Sequence, residues 1–259
     1  MIVFSNVDDV LNQPGDWGWT EAARELRLLE EEQVPLVLCS SRTRAEVQAV
    51  QQGLGIRHPF ICERGAAAFV PAGYFTFTMA GCREVPGYQA IEFGRPAADV
   101  IDRLRRVALR QRLDVVGFSE MSVEEVAQDC QLPLLEARLA KLREYGERFR
   151  VLETGAVARE RLFRALGHAD LRGWEGDRYH DVSTAFDPMR TVDMLYACFR
   201  RSLGAALSVG ATEAVAAFLS SPPAGRASAA TRSARLLDWA ERTNGIVRRL
   251  REQPTWVPS

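Results

Sequence analysis

The first third of the chain alternates short, wholly apolar runs with longer segments in which apolar residues recur every three or four positions. Met1–Phe4 is such a run, as expected of a strand buried on both faces of a parallel sheet. Thr20 stands as a cap before Glu21–Gln33, where Ala22, Leu26 and Leu29 share one helical face. Val34–Cys39 is a second apolar strand that runs into Ser40-Ser41-Arg42-Thr43, and Ala45–Leu54 is a helix closed by Gly53 and Gly55. Pro59–Cys62 is a third strand, leading into Glu63-Arg64-Gly65. Strand, helix, strand, helix, strand predicts a doubly wound α/β core with a parallel sheet and helices on both faces.

From about Arg83 the texture changes. Val100–Arg112, Val123–Cys130 and Leu135–Tyr145 have helical spacing, and Ser122 with Glu125 forms a capping-box start in which each side chain satisfies the other's free amide. Strands are expected at Phe149–Glu153 and Asp177–Val182, flanking a helix near Arg159–Leu166. This is the make-up of an α+β insertion. Afterwards come an amphipathic helix at Thr191–Leu203, a strand at Ala206–Val209 ending in Gly210, and a helix at Ala214–Leu219. Ser220–Ser233, rich in Ser, Pro, Ala and Gly, reads as a loop, and Leu236–Arg251 as the last helix. The organisation expected is therefore core at residues 1–82 and 186–259, with an inserted cap at 83–185.

At 259 residues the chain has room for a core plus a cap. A formal charge of −1 gives no bulk attraction to nucleic acid or to an anionic membrane, and the arginine pairs at 105–106 and 248–249 lack interleaved aromatics. The five cysteines are scattered with no Cys-x-x-Cys pair, which reads as free thiols in a reducing compartment. With no apolar leader and no apolar run long enough to span a bilayer, a cytoplasmic location is expected.

The end of the first strand carries the most chemical information. Residues 2–11, Ile-Val-Phe-Ser-Asn-Val-Asp-Asp-Val-Leu, resemble the opening of haloacid-dehalogenase (HAD) superfamily phosphatases, where an apolar strand ends in Asp-x-Asp-x-(Thr/Val)-(Leu/Val). The stretches Gly117–Ala127 and Ala137–Phe149 resemble the cap of mannosyl-3-phosphoglycerate phosphatases, a HAD branch that releases compatible solutes from sugar-phosphoglycerates. The resemblance runs from Met1 to about Leu219 and implies a HAD-like Rossmannoid core with an inserted α+β cap.

Position by position, the resemblance implies a loss of catalytic groups. Asn6 stands at the nucleophile position, and a neutral carboxamide neither attacks phosphorus well nor leaves a cleavable acyl-phosphate. Asp8 keeps the acid/base position, although a carboxylate there can simply cap the turn. Ser40 keeps the phosphate-binding hydroxyl. Asp187-Pro188-Met189-Arg190 lies where the family has its lysine, which puts Pro188 or Met189 in that place. Ala211 and Val215 fall where the last acidic motif belongs. The family's Mg²⁺ depends on carboxylate ligands, so the reading expects no tight metal site; Mg²⁺ would serve only if hydrolysis survives. Losing a nucleophile alone costs on the order of a millionfold in rate.

Other candidates follow strand ends, where open α/β sheets bind ligands. Ser40, Ser41 and Arg42 offer hydroxyls and a guanidinium to a phosphate or carboxylate; the rival reading is helix capping by Ser41 or Thr43. Glu63 sits where the family often has Glu-Asn-Gly, which makes it a candidate to face the cleft. Arg143 and Glu144, with Arg178, are candidates for a sugar acid, against the rival reading of solvated helix charge. The expectation is a protein that binds a phosphorylated or acidic sugar metabolite, or a partner enzyme. The alternative is a mannosyl-3-phosphoglycerate phosphatase-like hydrolase with altered or residual activity.

Overall fold

The computed structural model describes residues 1–7, 19–152, 155–204, 209–210 and 229–252. Two sheets organise them. The larger has seven strands, labelled here in chain order: β1 (Ile2–Asn6), β2 (Leu36–Cys39), β3 (Phe60–Cys62), β4 (Ala67–Pro71), β5 (Arg83–Val85), β6 (Tyr88–Glu92) and β11 (Val209–Gly210). Their spatial order is β11-β1-β2-β3-β4-β6-β5. The first four in that order are parallel, with Asn6 opposite Cys39 and Cys39 opposite Ile61.

Alternation along β1 assigns its two faces. Val3 belongs to an apolar layer with Leu29 of α1 (Trp19–Glu31), Val47 and Val50 of α2 (Arg44–Leu54) and Trp239, Ile246 and Val247 of the last helix. Ile2 and Phe4 belong to the opposite layer, under Val192, Leu195 and Phe199 of α7 (Met189–Leu203). Both faces of the sheet are thus covered by helices, which is why its central strands are apolar throughout. The expected α/β class is what the molecule has.

The smaller sheet has the order β7-β8-β10-β9: β7 (Val115–Gly117), β8 (Gly146–Val151), β9 (Leu171–Trp174) and β10 (His180–Thr184), all antiparallel to their neighbours. One face packs on α3 (Ala97–Gln111) and α6 (Ala156–His168), through Val100, Leu104, Leu162 and Leu166 against Phe149 and Val182. Alternation turns Arg148, Arg172, Trp174 and Asp181 to the other face. Two short helices, α4 (Val123–Cys130) and α5 (Leu134–Ala140), form a satellite cluster around Phe118 and Met121.

Several boundaries differ from the sequence reading for physical reasons. The core sheet continues past Cys82, because β5 and β6 pair with each other and β6 with β4, so Arg83 does not begin the cap. Phe69 stacks on Phe60, and Tyr88 of β6 meets both edge-on, which ties β4 and β6 to β3. The helix expected over Leu135–Tyr145 stops at Ala140, where the Lys141 ammonium reaches back to the carbonyls of Phe118 and Met121. The last helix, α8 (Ala229–Arg251), starts inside the segment read as a loop; Ala229 and Ala230 are strong helix formers in a stretch judged by overall composition. The helix expected at Ala214–Leu219 and the rest of that loop, to residue 228, lie outside the described residues. Among the described residues no helix is long and apolar enough to cross a membrane.

Candidate functional site at the core–cap junction

The parallel strands β1, β2 and β3 end together, and their carboxyl ends place the candidate residues. Asn6 closes β1 and is nearly buried. Ser40 follows β2, is fully buried, and its Oγ accepts the Arg42 N–H at 3.1 Å. Its backbone is tied into the next strand end, for Ser40 donates to the Ile61 carbonyl while its own carbonyl accepts the Arg64 N–H. Thr43 makes a full capping box with Glu46 at the start of α2, so the capping alternative holds for Thr43. The Thr43 hydroxyl also donates to the Leu139 carbonyl of the cap. The beginning of α2 therefore both closes the strand-end loop and touches the cap.

The turn after β3 is the centre of the junction. Glu63, Arg64 and Gly65 all have positive φ, at 45°, 60° and 88°. Two successive side-chain-bearing residues in the left-handed region cost free energy, and such strain persists only where surrounding contacts over-determine it. Here they do. The Glu63 N–H donates to the Arg42 carbonyl, the Gly65 carbonyl accepts from Thr191, and the Glu63 carboxylate accepts the N–H of Glu144 at 2.7 Å and of Tyr145 at 3.1 Å. Both Glu63 oxygens are committed to the cap's connecting segment, so it does not present itself to a ligand as the sequence reading expected. Burial pushes its carboxyl up to about 7, against the opposing pull of Arg143 and the two amides.

Arg64 leaves this turn and enters the cap. Its Nε lies 3.1 Å from Asp181 Oδ2 of β10, and its guanidinium sits 5.1 Å over the Trp174 ring. Arg148 on β8 holds the same carboxylate with Nε at 2.7 Å and Nη2 at 3.2 Å, and Arg143 approaches it at 3.6 Å and Glu63 at 3.7 Å. Arg143 also donates to the Ser41 carbonyl at 3.2 Å. Core turn, connecting segment and cap sheet thus each send one guanidinium to one carboxylate. Burial by itself would raise the Asp181 carboxyl, but Arg148 and Arg143, with Arg64, hold it well below the usual carboxylate range.

The site read from the sequence is partly assembled. Asn6, Ser40, Ser41, Arg42, Glu63 and Arg143 come from segments that meet at this junction. Arg178 does not join them: it is largely exposed and paired with Asp129 of α4, which also takes Arg150 and Tyr179. Met189 packs its side chain against the apolar layer under the sheet, whereas the Pro188 backbone lies against Gly65 in the strand-end turn. Of the two positions that the resemblance offers for the family's lysine, 188 is the one beside the site. Asp8, Ala211 and Val215 lie outside the described residues. Sequence reasoning missed Arg64, Arg148, Trp174 and Asp181. The signal that could have found Arg64 is the arginine itself, standing where the family often carries asparagine.

A cavity of about 860 Å³ lies at the opposite, amino end of β2 and β3, lined by Leu26, Arg27, Leu54, His58 and Tyr74. Ligands of open α/β sheets sit at the carboxyl ends instead, and the convergent charges are there.

The donor set also bears on magnesium, which HAD phosphatases typically use. Among the described residues no three His, Cys, Asp or Glu side chains converge to hold a metal ion. Asn6 offers a neutral oxygen, Glu63 is bonded to two amides, and Asp181 is surrounded by cations. Among the described residues, these three do not by themselves supply the near-octahedral oxygen ligation with anionic ligands that Mg²⁺ needs.

A parallel core sheet under helices, with an α+β cap meeting its strand ends, is the architecture of capped HAD phosphatases. A subclass IIB sugar phosphatase of that superfamily superimposes with a TM-score of 0.52 at 12% identity, covering 95% of this chain and 99% of that one. At that identity the likeness establishes the fold. No protein-family model matches the chain. A glucosyl-3-phosphoglycerate/mannosyl-3-phosphoglycerate phosphatase of Methanococcoides burtonii is 32% identical over 200 residues, 77% of this chain and 73% of that protein. One of the same description from Persephonella marina is 31% identical over 205 residues, 79% and 74%. The chain belongs to the mannosyl-3-phosphoglycerate phosphatase family of HAD-type sugar phosphatases.

Proposed function

We propose that this family member is catalytically degenerate and binds a phosphorylated or acidic sugar metabolite at the core–cap junction without hydrolysing it. The observation that carries the reading is Asn6 at the carboxyl end of β1, where the family places its nucleophilic carboxylate. Phosphoryl transfer rests on positioning and on countering charge, with the nucleophile as the one covalent participant in this class. A neutral amide removes that participant. The arginines at the junction supply what binding requires, because guanidinium groups are suited to planar, bidentate recognition of carboxylate and phosphate. A metabolite is favoured over a partner enzyme because Arg64, Arg143 and Asp181 are at least nine-tenths buried, too deep to meet a protein surface.

The second reading is a hydrolase with altered or residual activity, supported by the identity to proteins described as phosphatases over three quarters of the chain. Asp8 would then act as acid and base. A thermal-shift screen over sugar phosphates and sugar acids, run beside a phosphate-release assay with Mg²⁺, separates the two. The first reading expects stabilisation by at least one ligand with no release. Turnover of a sugar-phosphoglycerate would favour the second.

A further inference from the structure

Three cationic side chains gather on one carboxylate at the core–cap junction. Three guanidinium groups, each with five N–H donors, approach Asp181, and Arg143 also approaches Glu63, whose oxygens already accept two amides. Arg143 Nε is buried with no hydrogen-bond partner, and so is Trp174 Nε1 on the ring that Arg64 covers. An orphaned buried donor costs the desolvation of that group. Three guanidinium groups around one acceptor suit an oxyanion, and here Asp181 takes that place, with Glu63 beside Arg143. That carboxylate comes from the middle of β10, whereas the arginines come from three separate segments.

We propose that Asp181 is a built-in counter-anion, seated in an oxyanion pocket formed by Arg64, Arg143 and Arg148 whose exogenous ligand is the phosphate or carboxylate group of a bound metabolite. The proposal rests on the binding reading above and assigns it a pocket and an internal competitor. An incoming oxyanion takes guanidinium donors from Asp181 and brings acceptors within range of the orphaned N–H groups of Arg143 and Trp174. In its absence the Arg64–Asp181 pair joins core turn to cap sheet, so one carboxylate both protects the pocket and clasps the two parts together. No bond is made or broken; the exchange is of hydrogen bonds and charge.

The test is titration of the full chain with inorganic phosphate and, separately, with glycerate, which distinguishes a phosphate from a carboxylate source. Asp181→Asn keeps the shape of the side chain and removes the competing charge. It should bind at least one of the two oxyanions at least tenfold more tightly than wild type, and that oxyanion should raise its Tm more than it raises the wild-type Tm. A variant that binds neither more tightly than wild type overturns the proposal. Because Asp181→Asn leaves the cluster without its main counter-charge and can fail to fold, Arg64→Asn provides an independent decision. Asparagine accepts the left-handed backbone at position 64, and the change removes one wall of the pocket while leaving Asp181. Oxyanion affinity should fall at least fivefold; unchanged affinity overturns the proposal. If wild type binds a sugar phosphate yet Asp181→Asn gains nothing, the inference fails and the binding function stands. If wild type binds no oxyanion and no sugar phosphate, both fail.

Discussion

Replacing Glu63 by glutamine should change how the stability of this protein depends on pH. Glu63 is buried, and its carboxyl is raised from the ordinary 4.5 to about 7 because burial outweighs Arg143 and the two amides it accepts. The folded protein therefore holds a proton on Glu63 between those values that the unfolded chain has released. Stability from this group is fully present below about 4.5, declines as pH rises through the window, and levels off above about 7. A shift of about two and a half pH units corresponds to roughly 3 kcal/mol at about 1.4 kcal/mol per unit. Glu63→Gln cannot titrate. Its carbonyl oxygen keeps one of the two amide bonds, but its NH₂ faces the other donor, which costs about 1–3 kcal/mol at every pH. Urea titrations of wild type and variant at half-unit steps from pH 4.5 to 8.5 give two curves whose difference isolates Glu63 from the histidines and other carboxylates. The variant should be less stable than wild type at pH 5, with the gap closing or reversing by pH 8. A gap that stays constant, or widens with pH, would show that Glu63 is ionised throughout and would refute the reasoning.

Three further outcomes are expected. Gly65→Ala should lower stability by about 1–3 kcal/mol in chemical denaturation, because φ is 88° and an added Cβ would lie 2.8 Å from the Pro188 carbonyl oxygen; an unaltered midpoint would mean that this turn relaxes freely. Calorimetric titration with Mg²⁺ near neutral pH should give no saturable heat in the micromolar range, since the family resemblance puts Asn6, Ala211 and Val215 at positions where it implies anionic ligands; a tight stoichiometric isotherm would show that other residues bind the metal. Asn6→Asp alone should give little or no sugar-phosphoglycerate hydrolysis, whereas Asn6→Asp combined with Ala211→Asp, Val215→Asp and Pro188→Lys should give far more than the single changes suggest, because such groups act as a unit; brisk turnover by the single variant would identify a working enzyme with one altered residue.

Much of the core was legible because strands buried on both faces leave a simple mark, and Val34–Cys39 and Pro59–Cys62 each enclose an observed strand. The Ser122/Glu125 capping box fixed the start of α4, and the helix runs Val123–Cys130 as the spacing indicates. The hairpin β5–β6 was not legible. Its strands are short and half-exposed, and the Ala67–Pro71 strand joining it to the sheet lacks branched alternation. In the site, local signals were read and long-range ones were not. Ser40, Arg42 and Thr43 stand in one run after β2, but Arg64 and Asp181 are 117 positions apart and nothing in either neighbourhood names the other. The spacing puts Arg143 on a helix; its position near Glu63 and Asp181 arises because the helix ends at Ala140 and frees the segment to cross the junction. Arg178 looked equivalent by residue type and was claimed by Asp129, a contact set by how α4 packs against the cap sheet.

The central claim, binding without hydrolysis, is tested most directly by phosphorus NMR of mannosyl-3-phosphoglycerate mixed with the full chain and Mg²⁺. One spectrum series reports both events, since binding shifts or broadens the phosphomonoester signal and turnover produces a separate inorganic phosphate signal. The account predicts a shifted or broadened ester signal, with no inorganic phosphate growing above the protein-free control over hours. Steady growth of inorganic phosphate at a rate proportional to protein concentration would contradict it.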